Sequence, residues 1–496
     1  MKVFNGSPQA KLAVIGSLLA LALLSSVAGC SKGPENSLSR VLEAVGVGPT
    51  LSPEAIREYQ RFEDVYRKYA VPPEQARLDY FSFAFKRLRA NYVRPVSDRA
   101  LIDAAIKGVE QAQSKPDADR APGAVVEAGL DAMTASLDPH TAYLNGEEFR
   151  ESFVQTKGEF GGLGIEVTME DGFVKVVSPI EDTPAATAGL RSGDLITHVD
   201  SESIQGKTLR QAVRQMRGAP GTAILLKIRR KGQRDFDVRL MRAVIKVQAV
   251  KWRLEGGVGY IRVSRFSERM EGGVIKAMAA LRAKLGRKPD GFVLDLRNNP
   301  GGLLNQSIIL ADTFLNQGEI VSVRGRDATD IRSYSAEHGD LSDGAPIVVL
   351  INGGAASASE IVASALKVNK RATVMGTRSF GKGSVQTIIP LPIDGALKIT
   401  TALYYGPDGQ TIQAQGVVPD IRIDPIEVTE QPKEADLPGA ISARNDADRS
   451  GQSNVSIKNC PEIGERKDRE LGCALDFLKA GSKQKFLAEH GGQKRM

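Results

Sequence analysis

The sequence predicts a multidomain α/β protein with an N-terminal helical region, an inserted mainly-β block and an α/β core. Three observations carry this. From Pro53 to about Phe153 apolar residues recur at steps of three and four, the helical period. From Gly158 the period falls to two, and Asp171-Gly172 sits between two alternating runs, a hairpin signal. From about Ile245 strand-like and helix-like runs alternate, as in an α/β core. A chain of 496 residues is also too long for one compact core.

The elements follow in chain order. "MKVFNGSPQAK" is basic, and "LAVIGSLLALALLSSVAG" adds 18 uncharged residues before Cys30. Basic, apolar and small-residue regions in that order form a secretory signal over residues 1–29. A cysteine at that junction resembles a bacterial lipobox, in which the peptide is cut before the cysteine and the thiol is lipidated. A plain signal peptide and a retained anchor helix stay open as alternatives. All three export the remainder, so the expected location is the bacterial periplasm, with membrane attachment through Cys30. Residues 30–52 read as a tether. The net charge of +7 is mild for this length, and no basic run is interleaved with aromatics, which argues against nucleic acid as a partner.

In the region 53–157, "EAIREYQRFEDVYRKYA", "RLDYFSFAFKRLRANYV", "DRALIDAAIKGVEQA" and "VVEAGLDAMTASL" read as helices. Asp98 is the expected N-cap of the third. The pattern does not separate a partner-binding arm from a core cover. The block 158–245 reads as a hairpin, a short helix over "TLRQAVRQMRG" and a second hairpin. The core, 246–425, alternates "GVGYIRVSRF", "MEGGVIKAMAALRAKL", "GFVLDLRNNPGG", "LLNQSIILADTFL", "APIVVLINGGAAS", "SASEIVASALKV" and "RATVMG". Residues 426–496 read as a polar linker and a short helical tail with Cys460 and Cys473, 13 residues apart. In an oxidising compartment this pair forms a disulfide. Closing such a loop contributes about 3 kcal/mol in the chain-entropy model.

In the β block, "GLGI" lets successive backbone N–H groups converge on one carboxylate. The later "TPAATAGLRSGDLITHVD" resembles the PDZ signature through Pro184, Ala185, Ala188, Gly189, Leu190, Gly193 and Asp194. The resemblance maps Leu163, Gly164 and Ile165 onto the carboxylate-binding loop. It implies a substrate or partner with a free C-terminus.

The core offers fewer chemistries than its composition allows. No HExxH and no Cys/His cluster with ligand spacing is present, so no metal or other cofactor is expected. No G-x-S-x-G occurs, and neither His198 nor His338 is placed for a triad. "GTRSFGKGSVQ" half-matches a phosphate loop. Gly383, however, stands where Ser or Thr must hold magnesium, and a strand follows instead of a helix. Ser357 lies where a helix starts, which suits an N-cap or a nucleophile. Lys382, among glycines and apolar residues, can serve as a neutral base. Its pKa must then fall from about 10.4 to about 7–8, a shift of roughly 3–5 kcal/mol.

"NGGAASASEIVASALKVNKRATVMGTRSFGKGSVQ" closely resembles the catalytic region of the carboxyl-terminal processing (tail-specific) proteases. The S-A-S-E-I serine and the F-G-K-G lysine lie 25 residues apart, and Gln386 stands four beyond the lysine. "SLDPHTAYL", "LDLRNNPGG" and "ITTALYYGPDGQTIQAQGVVPD" resemble further family segments, so the likeness covers roughly 80–425. It implies a crotonase/Clp-like α/β core with an inserted PDZ domain. It makes Ser357 the nucleophile, Lys382 the general base and Gln386 the residue that orients Lys382. The oxyanion donors it implies are the N–H of Ala358 and that of Gly301 or Gly302. Ala355 stands where relatives often carry Ser or Thr. A PDZ domain that gates the site, N-terminal helices that dimerise and a homo-oligomer are further expectations. An adaptor protein stays open as a partner.

Overall fold

The computed structural model describes residues 51–180, 182–337, 339–426, 432–442, 452–465 and 467–490. The expected signal peptide, Cys30 and all of the tether but residues 51–52, and also His338, lie outside them. No helix among the described residues is long and apolar enough to cross a membrane. The chain divides into a smaller unit, running to Asn91 and from Val96 to Met133, and a larger one.

The smaller unit is helical. Helix α1 is Pro53–Tyr69, α2 is Gln75–Asn91, α3 is Asp98–Gln113 and α4, Pro122–Ala135, ends past its boundary. Ser52 caps α1 by accepting from the Ala55 N–H at 3.2 Å, and Pro53 takes the position where a missing N–H does no harm. Phe62 stacks on Phe81 with ring centroids 3.6 Å apart, and Tyr66, Phe85, Leu101 and Ile102 of these helices are buried as well. The cap of α3 is Ser97, not Asp98. Ser97 has the extended backbone a cap requires and accepts from Ala100, whereas Asp98 is the first helical residue and pairs with Arg89. A carboxylate also suits that position, so the sequence supported both.

In the larger unit, β1 (Ala142–Leu144) precedes α5 (Gly146–Lys157), which starts in a capping box between Asn145 and Glu148. The helical region drawn to 157 therefore divides earlier, because a three-residue strand is too short to leave a period. The β block follows: β2 (Glu159–Gly162), β3 (Ile165–Glu170), β4 (Phe173–Pro179), α6 (Pro184–Thr187), β5 (Leu195–Val199), β6 (Glu202–Ser203), α7 (Leu209–Met216), β7 (Ala223–Arg229), β8 (Phe236–Met241) and β9 (Ala243–Lys246). Its main sheet runs β3-β4-β5-β7-β8, and β2 pairs with β9 where chain enters and leaves. Asp171 and Gly172 both have positive φ, +52° and +78°, as the tight turn between β3 and β4 requires.

The core is built from β10 (Val250–Glu255), β11 (Val258–Val263), α8 (Met270–Leu285), β12 (Gly291–Asp295), α9 (Leu304–Asp312), β13 (Glu319–Arg324), β14 (Ile331–Ser335), β15 (Ile347–Ile351), α10 (Ala358–Val368), β16 (Ala372–Gly376), β17 (Ser384–Pro390), β18 (Ala396–Tyr405) and β19 (Ile421–Asp424). The tail adds β20 (Ser453–Ser456), α11 (Arg469–Ala480) and α12 (Lys483–His490). A seven-stranded sheet runs β10-β11-β12-β15-β16-β19-β20, parallel from β11 onward. A second sheet joins β1, β18, β13 and β14, with β17 on β18.

Every residue of β12 and β15 is buried, as expected of a parallel sheet covered on both faces. On one face, Val274, Met278 and Leu281 of α8 and Ile361, Val362 and Leu366 of α10 pack against Phe292, Leu294, Ile347 and Val349. On the other, Leu471, Cys473 and Phe477 of α11 and Phe486 of α12 pack against Val293, Val348 and Leu350. Residues 426–496 are thus more than a linker and a tail, since they supply an edge strand and one covering layer. Cys460 and Cys473 are bonded within that layer.

Candidate active site

Three loops meet at the C-terminal ends of neighbouring parallel strands. They follow β12, β15 and β16, the end of an α/β sheet where ligands bind. Side chains lace them together. The Asn352 carboxamide accepts from the Asn298 N–H at 2.8 Å and donates to the Asn298 carboxamide at 3.0 Å. The Asn299 carbonyl accepts from the Ala356 N–H at 3.0 Å and from the Ser359 hydroxyl at 2.9 Å. The Phe380 N–H donates to the Ala355 carbonyl at 3.0 Å.

Ser357 stands at the start of α10 with φ +54° and ψ −113°. This is sparsely populated backbone for a residue with a Cβ, and such geometry costs on the order of 1–3 kcal/mol. An ordinary N-cap serine is extended and caps with its hydroxyl. Here the Glu360 N–H goes to the Ser357 carbonyl at 2.8 Å, and the hydroxyl makes no cap hydrogen bond.

Strain persists only where the surroundings hold it, and Glu360 does the holding. Its fully buried carboxylate accepts from the Ser357 N–H at 2.7 Å, the Gly381 N–H at 2.7 Å, the Lys382 N–H at 2.9 Å and the Ser379 hydroxyl at 2.6 Å. One carboxylate therefore fixes the backbone of both Ser357 and Lys382. Burial pushes the Glu360 carboxyl up to about 7, against four hydrogen bonds that favour the charged form.

Lys382 is partly buried, and its amine makes no hydrogen bond among the described residues. Burial, with Lys398 of β18 as the second cause, lowers it to about 8, while Glu434, Asp138 and Glu360 act in the opposite sense. Lys398 is itself lowered, chiefly by burial. Gly383 is required here, since a Cβ on it would lie 2.2 Å from the Gln413 nitrogen. Gln386 follows at a register shift in β17, where its amide donates to Ser384 Oγ at 2.9 Å and Thr400 Oγ1 at 3.3 Å rather than to Lys382.

The glycine pair after β12 resolves into two different jobs. The Gly301 N–H donates to the Asn299 carboxamide at 2.9 Å, so it is already occupied. Gly301 still has to be glycine, because a Cβ would lie 2.8 Å from the Ala356 carbonyl and 2.9 Å from Ser357 Cβ. Gly302 bridges to Phe266 through its neighbours, with Phe266 donating to the Gly301 carbonyl and Leu303 to the Phe266 carbonyl. This leaves the Gly302 N–H, like that of Ala358, without a partner among the described residues.

In the β block, a cavity of about 210 Å³ opens between β3 and α7. Phe160, Leu163, Gly164, Ile165, Val167, Val213 and Met216 line it. The Arg217 guanidinium lies over the Phe160 ring, 4.6 Å from its centroid. β3 is the outer strand of its sheet. Because Ile180 donates to the Gly164 carbonyl, the Ile165 N–H points away from β4, toward the open edge.

Residues 257–423 match the model of peptidase family S41, and residues 161–240 that of the PDZ domain. A carboxy-terminal-processing protease of Bartonella bacilliformis is 46% identical over 396 residues, covering 77% of this chain and 84% of the relative. The chain belongs to the carboxy-terminal-processing proteases. A probable CtpA-like serine protease of Staphylococcus aureus is 36% identical over 313 residues, covering 62% of this chain and 61% of the relative. Among solved structures, a photosystem II D1 C-terminal processing protease is similar at 29% identity and a TM-score of 0.43, covering 70% of this chain and 92% of that one.

For a processing protease the site holds more polar groups than sequence reasoning placed there. Glu360 appeared only as a motif letter, because nothing local says that it bonds to a turn some twenty residues on. Lys398, Gln413 and Glu434 were not singled out, and His140 only within "SLDPHTAYL". In that motif Asp138 accepts from His140 N, Thr141 N, Thr141 Oγ1 and Thr400 Oγ1. His198 contacts its neighbour Thr197 in β5, and His490 pairs with Asp476 in the tail.

Proposed function

We propose that this protease is an exported Ser-Lys endopeptidase that captures substrate C-termini in its PDZ groove and cuts near their tails. The observation that supports this best is the shared Glu360 carboxylate, which binds the backbone of a strained serine and of a lysine lowered to about 8. Neutral Lys382 takes the proton as Ser357 Oγ bonds to the scissile carbonyl carbon. The N–H groups of Ala358 and Gly302 hold the resulting oxyanion, and each such donor is worth roughly 2.7–4 kcal/mol in the transition state. Collapse breaks the C–N bond, and the lysine ammonium returns its proton to the leaving amine. Water then attacks the acyl-enzyme, with Lys382 again the base.

Leu163, Gly164 and Ile165 take the substrate carboxylate, and its last side chain enters the apolar cavity while the tail pairs with β3. An engaged tail draws Gln386 from Ser384 and Thr400 to Lys382, which gates the site. The enzyme is held at the periplasmic membrane through lipidated Cys30, and the N-terminal helices make it a homo-oligomer. Replacing Cys30 with Ser, Cys30→Ser, then releases it from membranes, and deleting 53–133 reduces its oligomer size.

The test of the dyad uses a substrate tagged at its C-terminus. Ser357→Ala and Lys382→Ala each abolish cleavage, and Gln386→Ala reduces it. Cleavage that survives Lys382→Ala rejects the dyad.

A further inference from the structure

Residues 432–442 lie beyond the part of the chain that matches the peptidase family, yet they reach the active-site lysine. The segment holds a short 3₁₀ turn, Glu434–Asp436, and Glu434 is fully buried. Its backbone N–H donates to the Phe380 carbonyl at 3.1 Å, two residues before Lys382. Its carboxylate accepts from the Gln413 amide at 2.9 Å and meets His140 Nε2 at 2.8 Å. The same Gln413 side chain accepts from the Gly383 N–H at 2.9 Å, one residue after Lys382, and donates to the Ile441 carbonyl at 3.1 Å. The turn carrying Lys382 is therefore gripped on both sides, at Phe380 directly and at Gly383 through Gln413.

We propose that Glu434 is a positioning residue for the lysine base: it clasps the 380–383 turn and brings a buried carboxylate to it. This rests on the reading of Lys382 as general base. A carboxylate beside an amine favours the ammonium, so Glu434 limits how far burial and Lys398 lower Lys382. The charged and titratable groups facing Lys382 are Lys398 from β18, Asp138 from the segment before β1, Glu360 from α10 and Glu434 from the tail segment. His140 pairs with Glu434. The design trades basicity against readiness: too little negative charge gives a weak base, and too much keeps the lysine protonated at neutral pH.

The experiment reads the Lys382 side chain without needing turnover. Full-length protein carrying ¹³C-labelled lysine is titrated by NMR, and the Lys382 signal is identified by its loss in Lys382→Met. The wild-type signal titrates near 8. In Glu434→Gln, nearly the same shape without the charge, its midpoint moves down by about one pH unit. In Glu434→Asp, which keeps the charge on a shorter stem, it stays near the wild-type value. The acid limb of kcat/KM follows the same order, and Glu434→Asp loses kcat because it no longer spans His140 and Gln413. A wild-type Lys382 that titrates like an exposed lysine rejects the base assignment itself. A Lys382 near 8 that ignores Glu434→Gln rejects only the role given to Glu434. If no neutral replacement folds (Gln, Met and Ser tried in turn), Glu434 is a residue of the fold and the proposal is overturned.

Discussion

Ser357 and Lys382 were legible as a pair because their spacing and neighbours match a family pattern. Their environment was not legible, because the groups that set it come from remote parts of the chain. Glu360 is the clearest case. In Glu360→Gln the amide NH₂ faces donors where a carboxylate oxygen accepted, leaving buried N–H groups without partners at about 1–3 kcal/mol each. The expected result is a kcat loss of about a hundredfold or more, a smaller change in KM and a lower Tm, read from steady-state kinetics and thermal melts. Lys382 predicts the opposite for stability. Its pKa is about 8 folded against 10.5 unfolded, so the penalty for burying its charge is complete below 8 and fades as pH rises to 10.5. Lys382→Met is then inactive yet more stable than wild type at pH 7, by up to about 3 kcal/mol, with the gap closing by pH 10.5. Denaturant unfolding at a series of pH values checks this.

At the scale of elements, long uniform patterns read well and short ones did not. β12 and β15 are fully apolar or nearly so, and α8 runs over the very residues its period indicates. β20 buries one side chain, Val455, and so reads as linker, while the hairpin β13–β14 keeps β14 largely exposed. The tail's contribution was hidden for the same reason. At the start of α11, Asp468 and Glu470 bind the nearly buried Arg297 at 2.7 Å each, and Asp295 binds it from β12. Arg297 opens the loop that ends in Gly301 and Gly302, so the tail helix braces that loop. Removing one partner of a buried pair costs about 3–5 kcal/mol. Asp468→Asn combined with Glu470→Gln should lower both Tm and kcat. Reducing the Cys460–Cys473 bond, which ties α11 to the preceding turn, should weaken the same brace to a smaller degree.

At the scale of the whole molecule, composition and period placed a helical region, a β block and an α/β core in that order, the order in which the fold and the family matches have them. They drew the outer boundaries less well, since 134–157 and 452–490 both join the larger unit. That unit joins a peptide groove to a hydrolytic centre in one chain, which predicts separable effects. Val213→Asp places a charge in the apolar cavity. KM for a tail-bearing substrate should rise about tenfold or more, while a short peptide that never engages the groove is cut as before. Equal loss on both substrates would contradict a capture role.

The central claim is that Ser357 is activated by a lysine that is neutral near physiological pH. The most direct measurement is the rate at which a fluorophosphonate labels the full-length enzyme across pH, with the modified residue mapped by mass spectrometry. The account predicts labelling at Ser357, a rate that rises with a midpoint near 8, and loss of that rise in Lys382→Met. Labelling elsewhere, or a pH dependence that survives Lys382→Met, would contradict it.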